Sequence, residues 1–308
     1  MTLNDFRTQA IHALESITDN PRFEAEQLIM WVLKLNRNEL TLKRRETLTP
    51  LSASHLNDAL NRRLSREPLQ YICGEWDFYG LRMFCGKGCL IPRPETEMLV
   101  DYAIRALPRG GHLLDLCTGS GCIAVAVLNN RPDVTAAAVD VSQAALIYAR
   151  KNAEYHGITE DRLSIVCSDI LDYTPLRIPD VIVSNPPYFP AGRGAVSPNA
   201  ERAAQRTESA TVSELCSASA RYLKPGGQFF LVHRRKRESD ILAALHNAHL
   251  TPVRRRDIFS APGKRAPIFL MEAVKGAPVS AMRCENILLR GADGRETEEY
   301  RKICHWEA

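Results

Sequence analysis

Residues 113–121 read L-L-D-L-C-T-G-S-G. The first four form the end of an apolar run long enough for a buried strand. The last three supply a glycine turn, and the turn opens onto Cys122 to Asn129, a run with the composition of a helix. A strand that turns through glycines into a helix N-terminus is a place where backbone can approach a ligand closely and where a carboxylate or phosphate is favoured. The strict dinucleotide spacing Gly-x-Gly-x-x-Gly is absent, although Ala124 satisfies its permissive form, so nicotinamide and flavin are disfavoured. No Gly-Lys-Ser/Thr follows a glycine loop, which disfavours a nucleotide triphosphate.

Working outward, the same rhythm continues on both sides. Helices are expected over Thr96–Leu107, Gln143–His156, Thr211–Leu223 and Ser239–Ala248. Strands are expected over Val134–Val139, Leu163–Val166, Val181–Val183, Gln228–Val232, Val253–Phe259 and Ile268–Val274. Strands separated by helix-length segments imply an α/β fold, a Rossmann-like, largely parallel sheet with helices on both faces. Ligands of such sheets sit at the carboxyl ends of the strands. Three of those ends carry chemistry. Asp115, Thr118, Gly119 and Gly121 form the first, and the pattern Asp115-x-x-x-Gly119-x-Gly121 is similar to the one that S-adenosylmethionine enzymes place beside the amino-acid part of the cofactor. Asp140 ends the second strand, about twenty residues on, where a carboxylate can accept both ribose hydroxyls. Asp169 ends the third, within reach of an adenine amino group. Either aspartate alone also suits the N-cap of a following helix.

The fourth strand end is the most specific. Asp180-Val181-Ile182-Val183 runs into Ser184-Asn185-Pro186-Pro187-Tyr188-Phe189, and a routine exit turn needs neither paired prolines nor two aromatics. An amide or exocyclic amine nitrogen is planar and a poor nucleophile. Two acceptors aimed at its N–H groups, the Asn185 side-chain oxygen and the Pro186 carbonyl, favour the pyramidal form that attacks a methyl carbon. Prolines fix φ and remove donors, holding those acceptors in place. Pro187 and Tyr188 complete a substrate pocket in which the tyrosine offers a face for a planar group. The expected catalytic set is thus Asn185, Pro186 and Tyr188, with S-adenosylmethionine as cofactor. One alternative is a rigid loop that merely ends a strand; a separate one is an inactive binding protein on the same fold, which predicts damage at Asp115, Gly119, Gly121 or Asn185, and none is visible.

The front of the chain is different. Phe6, Ile11 and Leu14, then Ala25, Leu28, Ile29 and Val32, then Leu56, Leu60 and Leu64 recur at helical spacings, with stops at Asp19-Asn20-Pro21 and Thr47-Leu48-Thr49-Pro50 and a cap expected at Ser52 or Ser54. The expected organisation is a helical domain over 1–74, a β-hairpin linker over 75–94 around Tyr79-Gly80, and the sheet domain over 95–308. The 308 residues are 45% hydrophobic and 25% charged, enough apolar material for a sizeable core. No apolar run approaches the roughly 20 residues of a membrane span, and Met1-Thr2-Leu3-Asn4-Asp5-Phe6 lacks a leader pattern, so a cytoplasmic location without a membrane partner is expected. Nine cysteines lack a zinc spacing, and no metal is expected. The net charge of +4 is mild, but Arg234 to Arg237 and Arg254 to Arg256 crowd one stretch, which suits either a phosphate backbone or a solvated helix start and a charged, exposed strand edge.

Four stretches carry a resemblance. Glu67-Pro68-Leu69-Gln70-Tyr71-Ile72-Cys73-Gly74, W-D-F-Y-G-L at 76–81, L-I-P-R-P-E-T-E at 90–97 and L-L-D-L-C-T-G-S-G at 113–121 resemble the N5-glutamine methyltransferases of peptide chain release factors. The likeness runs from residue 1 to about 185. It implies a class I S-adenosylmethionine-dependent methyltransferase sheet, a helical domain that docks the release factor, and the glutamine of a Gly-Gly-Gln loop as methyl acceptor. Beyond the shared S-N-P-P-Y, the segments Phe189-Pro190-Ala191-Gly192, Ser197-Pro198-Asn199, Leu223 to Arg234, Glu272 to Gly276 and Asp293 to Glu299 resemble the tRNA(Val) adenine-N6 methyltransferases instead. That second likeness implies tRNA as the alternative partner, and two relatives joined at their common motif. Both acceptors are planar nitrogens, so the chemistry expected of Asn185 is the same.

Overall fold

The computed structural model describes residues 1–187 and 211–303, which divide into two compact units, Met1–Trp76 and Asp77–Ala308. The first unit is helical: α1 (Leu3–Leu14), α2 (Pro21–Leu33), α3 (Arg37–Leu42), α4 (Pro50–Leu64) and α5 (Leu69–Cys73). Its helix starts follow from local chemistry. Thr2 with Asp5 and Asn36 with Glu39 form capping boxes, and Pro21 and Pro50 occupy first-turn positions where the missing N–H costs nothing. The cap of α4 is Thr49, not Ser52 or Ser54. With Pro50 opening the helix the cap must precede it, and Ser52 supplies the N–H that Thr49 Oγ1 accepts at 3.1 Å. Leu3, Phe6, Ala10 and Leu14 of α1 bury against Ala25 and Ile29 of α2 and Leu56 and Leu60 of α4.

A hairpin of β1 (Glu75–Phe78) and β2 (Leu81–Phe84) turns at Tyr79-Gly80, both in the left-handed region. After it, α6 (Glu97–Ala106), β3 (His112–Leu116), α7 (Cys122–Asn130), β4 (Thr135–Asp140), α8 (Gln143–Tyr155), β5 (Leu163–Cys167) and β6 (Val181–Ser184) alternate as their periodicity requires. Past the undescribed stretch come α9 (Val212–Tyr222), β7 (Gln228–Arg234), α10 (Glu238–Asn247), β8 (Leu250–Phe259), β9 (Ile268–Lys275), β10 (Arg283–Leu288) and α11 (Glu298–Ile303). Eight strands form one sheet in the order β10-β8-β9-β7-β6-β3-β4-β5, parallel from β5 to β7, with β9 antiparallel to both its neighbours.

Strand alternation sorts the core into two layers. Leu113, Ala136, Val181, Val183 and Phe230 face α6 and α7, while Leu114, Leu116, Val139, Ile182, Phe229 and Leu231 face α9 and α10. Burial on both faces explains why these strands read as continuous apolar runs. No helix among the described residues is long and apolar enough to cross a membrane.

The arginine-rich strand departs from expectation. β8 is not an edge, because β10 pairs with it in parallel from Arg283↔Arg254 to Leu288↔Phe259. Its cations are also consumed internally: Arg254 pairs with Glu272 at 3.4 Å, Arg255 with Glu238 and Asp257, and Arg256 with Glu285 at 2.9 Å and Glu299 at 3.3 Å. Arg254 and Arg256 further lie over the Tyr102 ring, 5.5 and 5.9 Å from its centroid. The unforeseen strand is part of the core, since Ile287 is 1% exposed. Ile287→Ala should therefore cost about 3 kcal/mol in chemical denaturation, within the main cooperative transition; an early separate transition would show β10 to be an appendage.

Candidate active site

Parallel register brings the ends of β3, β4, β5 and β6 to one rim of the sheet. Leu116 pairs with both Val139 and Ser184, and Asp140 with Cys167. The turn leaving β3 is built from three left-handed residues, Cys117, Gly119 and Gly121, at φ of 60°, 57° and 73°. Three hydrogen bonds hold it. The N–H of Thr118 donates to Val139 O at 3.1 Å, the N–H of Gly121 to Thr118 O at 3.0 Å, and the N–H of Gly119 to Asp140 Oδ2 at 2.8 Å. A Cβ at Gly121 would stand 3.0 Å from Ala149 Cβ, so this glycine is required by the packing of α8 as well as by its φ. A Cβ at Gly119 would meet nothing within 4 Å. That open side is where a ligand can reach the turn.

Asp115 lies directly beneath. It is fully buried, its Oδ2 accepts the Thr118 hydroxyl at 2.6 Å, and its Oδ1 has no hydrogen-bond partner. Burial pushes the carboxyl up to about 7, against the pull of Thr118 and of the Ala124 N–H, which acts on it from outside hydrogen-bonding geometry. An unsatisfied buried carboxylate oxygen is costly and implies a donor or cation that completes it. Asp140 is occupied differently. Oδ2 takes the Gly119 N–H and Oδ1 the Ser142 N–H, both at 2.8 Å, while Ser142 itself caps α8. The aspartate thus braces the turn rather than capping the helix, and burial raises its pKa despite those N–H groups. Each of its oxygens keeps a second lone pair. Asp169 follows β5, its Oδ1 accepting Leu171 N–H at 2.9 Å, and the neighbouring Ser168 N–H donates to Asp140 O at 3.1 Å.

Asn185 leaves β6 beside the turn, since Ser184 Oγ donates to Leu116 O at 2.8 Å. Its Nδ2 donates to Thr96 Oγ1 at 2.8 Å, and Thr96 is 2% exposed on the 3₁₀ turn before α6. That bond places one of the two Nδ2 donors on Thr96. Pro186 is buried and Pro187 half-buried; Tyr188 lies outside the described residues. Thr96 is held in turn through its neighbour. Glu97, 4% exposed, accepts Tyr79 N–H at 2.9 Å on Oε1 and the Tyr300 hydroxyl at 3.2 Å on Oε2. A second clamp is Asn152, fully buried in α8, whose Oδ1 accepts Phe84 N–H at 2.6 Å and whose Nδ2 donates to Phe84 O and Ser120 O. Thr96, Glu97, Asn152 and Tyr300 were not expected from the sequence; a buried amide on an otherwise small-residue helix face was the available signal for Asn152.

Among the described residues no group of His, Cys, Asp and Glu is arranged to hold a metal ion. Burial pushes the thiols of Cys117 and Cys122 well above the ordinary cysteine range and that of Cys89 up to about 12, so none of them is a ready nucleophile.

The family model described as methyltransferase small domain matches residues 94–255, across the S-N-P-P-Y segment, and the PrmC N-terminal domain matches residues 5–74. Among curated relatives, the release factor glutamine methyltransferase of Chlorobaculum tepidum is 39% identical over 59% of this chain and 65% of its own length. Those of Geobacter sulfurreducens and Salmonella typhimurium are each 34% identical, over 69% and 73% of this chain and 77% and 83% of their own lengths. The chain spans less than two thirds of the first of these relatives. Of solved structures, an O-methyltransferase assigned in Agrobacterium tumefaciens superposes with TM-score 0.51 at 18% identity, covering 66% of this chain and 93% of its own. A class I S-adenosylmethionine-dependent methyltransferase assigned in Listeria monocytogenes superposes with TM-score 0.50 at 16% identity over 92% and 91%. These two share the fold. The chain belongs to the release factor glutamine methyltransferase family, with a methyltransferase small domain behind a PrmC N-terminal domain.

Proposed function

We propose that the protein transfers a methyl group from S-adenosylmethionine to N5 of the glutamine in the Gly-Gly-Gln loop of peptide chain release factors. The observation that carries the reading is Asn185, which stands one register step from the glycine turn with its Nδ2 tied to Thr96, so that its oxygen serves as the acceptor. The orphaned Oδ1 of Asp115 and the open face of Gly119 fit the ammonium and carboxylate of the cofactor's amino-acid part; Asp140 and Asp169 have lone pairs left for hydroxyl and amino groups. When bound, that cofactor supplies an electrophilic methyl carbon on a sulfonium.

Every other step belongs to the chain. Asn185 Oδ1 and the Pro186 carbonyl accept the two N–H groups of the substrate amide and so stabilise the positive charge that develops as its nitrogen turns pyramidal. Pro186, buried, and Pro187, half-buried, keep those acceptors from turning away. With the cofactor bound, these two acceptors would hold the substrate nitrogen toward the methyl carbon that the sulfonium supplies, and the methylated amide would release one proton to water. No carboxylate or imidazole base is needed. Tyr188 is assigned the flat wall against which the amide lies.

Labelled S-adenosylmethionine offered with purified release factor in one reaction and unmodified tRNA in another tests the reading: label in the release factor is expected, and label in tRNA alone overturns it. Asn185→Ala should lower kcat by roughly a hundredfold to a thousandfold, with cofactor binding kept. Thr96→Val, which keeps the volume but removes the acceptor of the Asn185 amide, should lower kcat about tenfold with little change in cofactor KM, and Thr96→Ser should restore it. An unchanged kcat in Thr96→Val would mean the hydrogen bond does not orient Asn185.

Asp115 gives a pH signature. Its raised pKa means that the free protein holds a proton there below about pH 7. A bound ammonium favours the carboxylate, so binding expels that proton. Cofactor affinity should rise with pH up to about 7, and the calorimetric enthalpy at pH 6 should vary with the ionisation enthalpy of the buffer. Asp115→Asn should remove both effects.

A further inference from the structure

The helical unit holds a concave site of its own. Asn4 and Arg7 of α1, Arg22 and Glu26 of α2, Arg37, Leu40 and Thr41 of α3 and Arg44 of the following 3₁₀ turn line a hollow of about 280 Å³. Residues 1–76 carry ten Lys or Arg and ten Asp or Glu, so the unit as a whole is neutral. Within the hollow the balance is four guanidinium groups to one carboxylate. Such a local excess on a neutral body is not a general surface charge; it focuses positive potential on one concavity.

The five groups differ in how they are held. Glu26 Oε1 accepts from Arg7 Nε at 3.0 Å, from Arg7 Nη2 at 2.5 Å and from Arg22 Nε at 3.1 Å. Burial acts to raise the Glu26 carboxyl, but the hydrogen bonds from Arg7 and Arg22 outweigh it and hold it below its ordinary value. One carboxylate therefore fixes two arginines and leaves their remaining N–H groups unspent. Arg37 and Arg44 have no side-chain hydrogen bond or ion pair among the described residues. Both are exposed. Two guanidiniums pre-oriented by a half-buried acid and two uncommitted ones lining the same hollow match an anion with more than two oxygens. A carboxylate offers two and satisfies a single fork, whereas a tetrahedral phosphate presents three or four to forks arriving from different sides.

We propose that this hollow is a binding site for a phosphate oxyanion, seated on Arg7, Arg22, Arg37 and Arg44 with Glu26 as the positioning residue beneath. The proposal does not depend on the methyl-transfer reading, since it involves none of the residues at the rim of the sheet.

Inorganic pyrophosphate titrated calorimetrically into the full chain at low salt tests it. Binding is expected to be saturable and one-to-one, to weaken as salt rises, and to fall about tenfold in the double variant Arg37→Gln/Arg44→Gln. Because those two side chains make no internal contact by hydrogen bond or ion pair, the variant should melt with the parent protein, and Arg109→Gln, outside the hollow, should bind as the parent does. Glutarate, a dicarboxylate, should bind at least about tenfold more weakly than pyrophosphate. A single-stranded hexaribonucleotide separates the two sources of phosphate. If it competes with pyrophosphate and loses affinity in the double variant, the ligand is a phosphodiester backbone; if it does not compete, the ligand is a free phosphate. No pyrophosphate binding, binding unchanged in the double variant, or glutarate binding as tightly as pyrophosphate would each overturn the proposal.

Discussion

The N–H of Gly119 pointing into the Asp140 carboxylate is the contact on which the rest of the site depends. It joins the ends of two adjacent strands and holds the turn in a conformation that L-residues with side chains resist. It also explains why an aspartate stands there: an acceptor with two oxygens can take Gly119 on one and Ser142 on the other and so fix the turn and the approach to α8 together. With the turn fixed, Asp115 is sealed beneath it and left with an oxygen that no hydrogen bond among the described residues completes. The same register that puts β4 against β3 puts β6 on the other side, so the asparagine leaving β6 arrives beside the turn.

Around this centre lie clamps drawn from distant parts of the chain. Asn152 ties the turn to β2, Thr96 ties the Asn185 amide to the start of α6, and Glu97 ties that start to the hairpin and to the last described helix. Each is a buried polar group whose partners are themselves polar and buried or backbone, so each is stabilising only while complete. Functional geometry here is therefore shared among elements, with the strands setting positions to within a residue and the clamps setting orientation.

What the sequence made legible follows the same division. Apolar runs specify β3, β4, β6 and β7 because both faces of these strands are buried, and glycine placement specifies the turn because left-handed backbone leaves few choices. The candidate residues Asp115, Gly119, Gly121, Asp140 and Asn185 were readable for that reason. The clamps were not, since their bonds span 68, 89 and 203 residues and no local pattern records a partner that far away. The bracing role of Asp140 escaped for a related reason: from spacing alone a carboxylate at a strand end suits a ribose or a helix cap, and only the turn's own N–H direction shows a third use. β10 was also invisible. Its residues Arg283-Cys284-Glu285-Asn286-Ile287-Leu288 bury fully only Ile287, and it pairs with β8, a strand whose arginines read equally as a phosphate contact or an exposed edge.

That last strand alters how the arginine run should be understood. A ten-residue strand left open along one side offers unpaired backbone to any other extended chain, and three consecutive arginines would be its defence. Here the tail supplies the cover, and Arg256 binds Glu285 and Glu299 across the join while Arg254 binds Glu272 of β9. The tail thus seals the outer border of the sheet, and a chain shortened after Gly276 would leave that border guarded by its arginines alone.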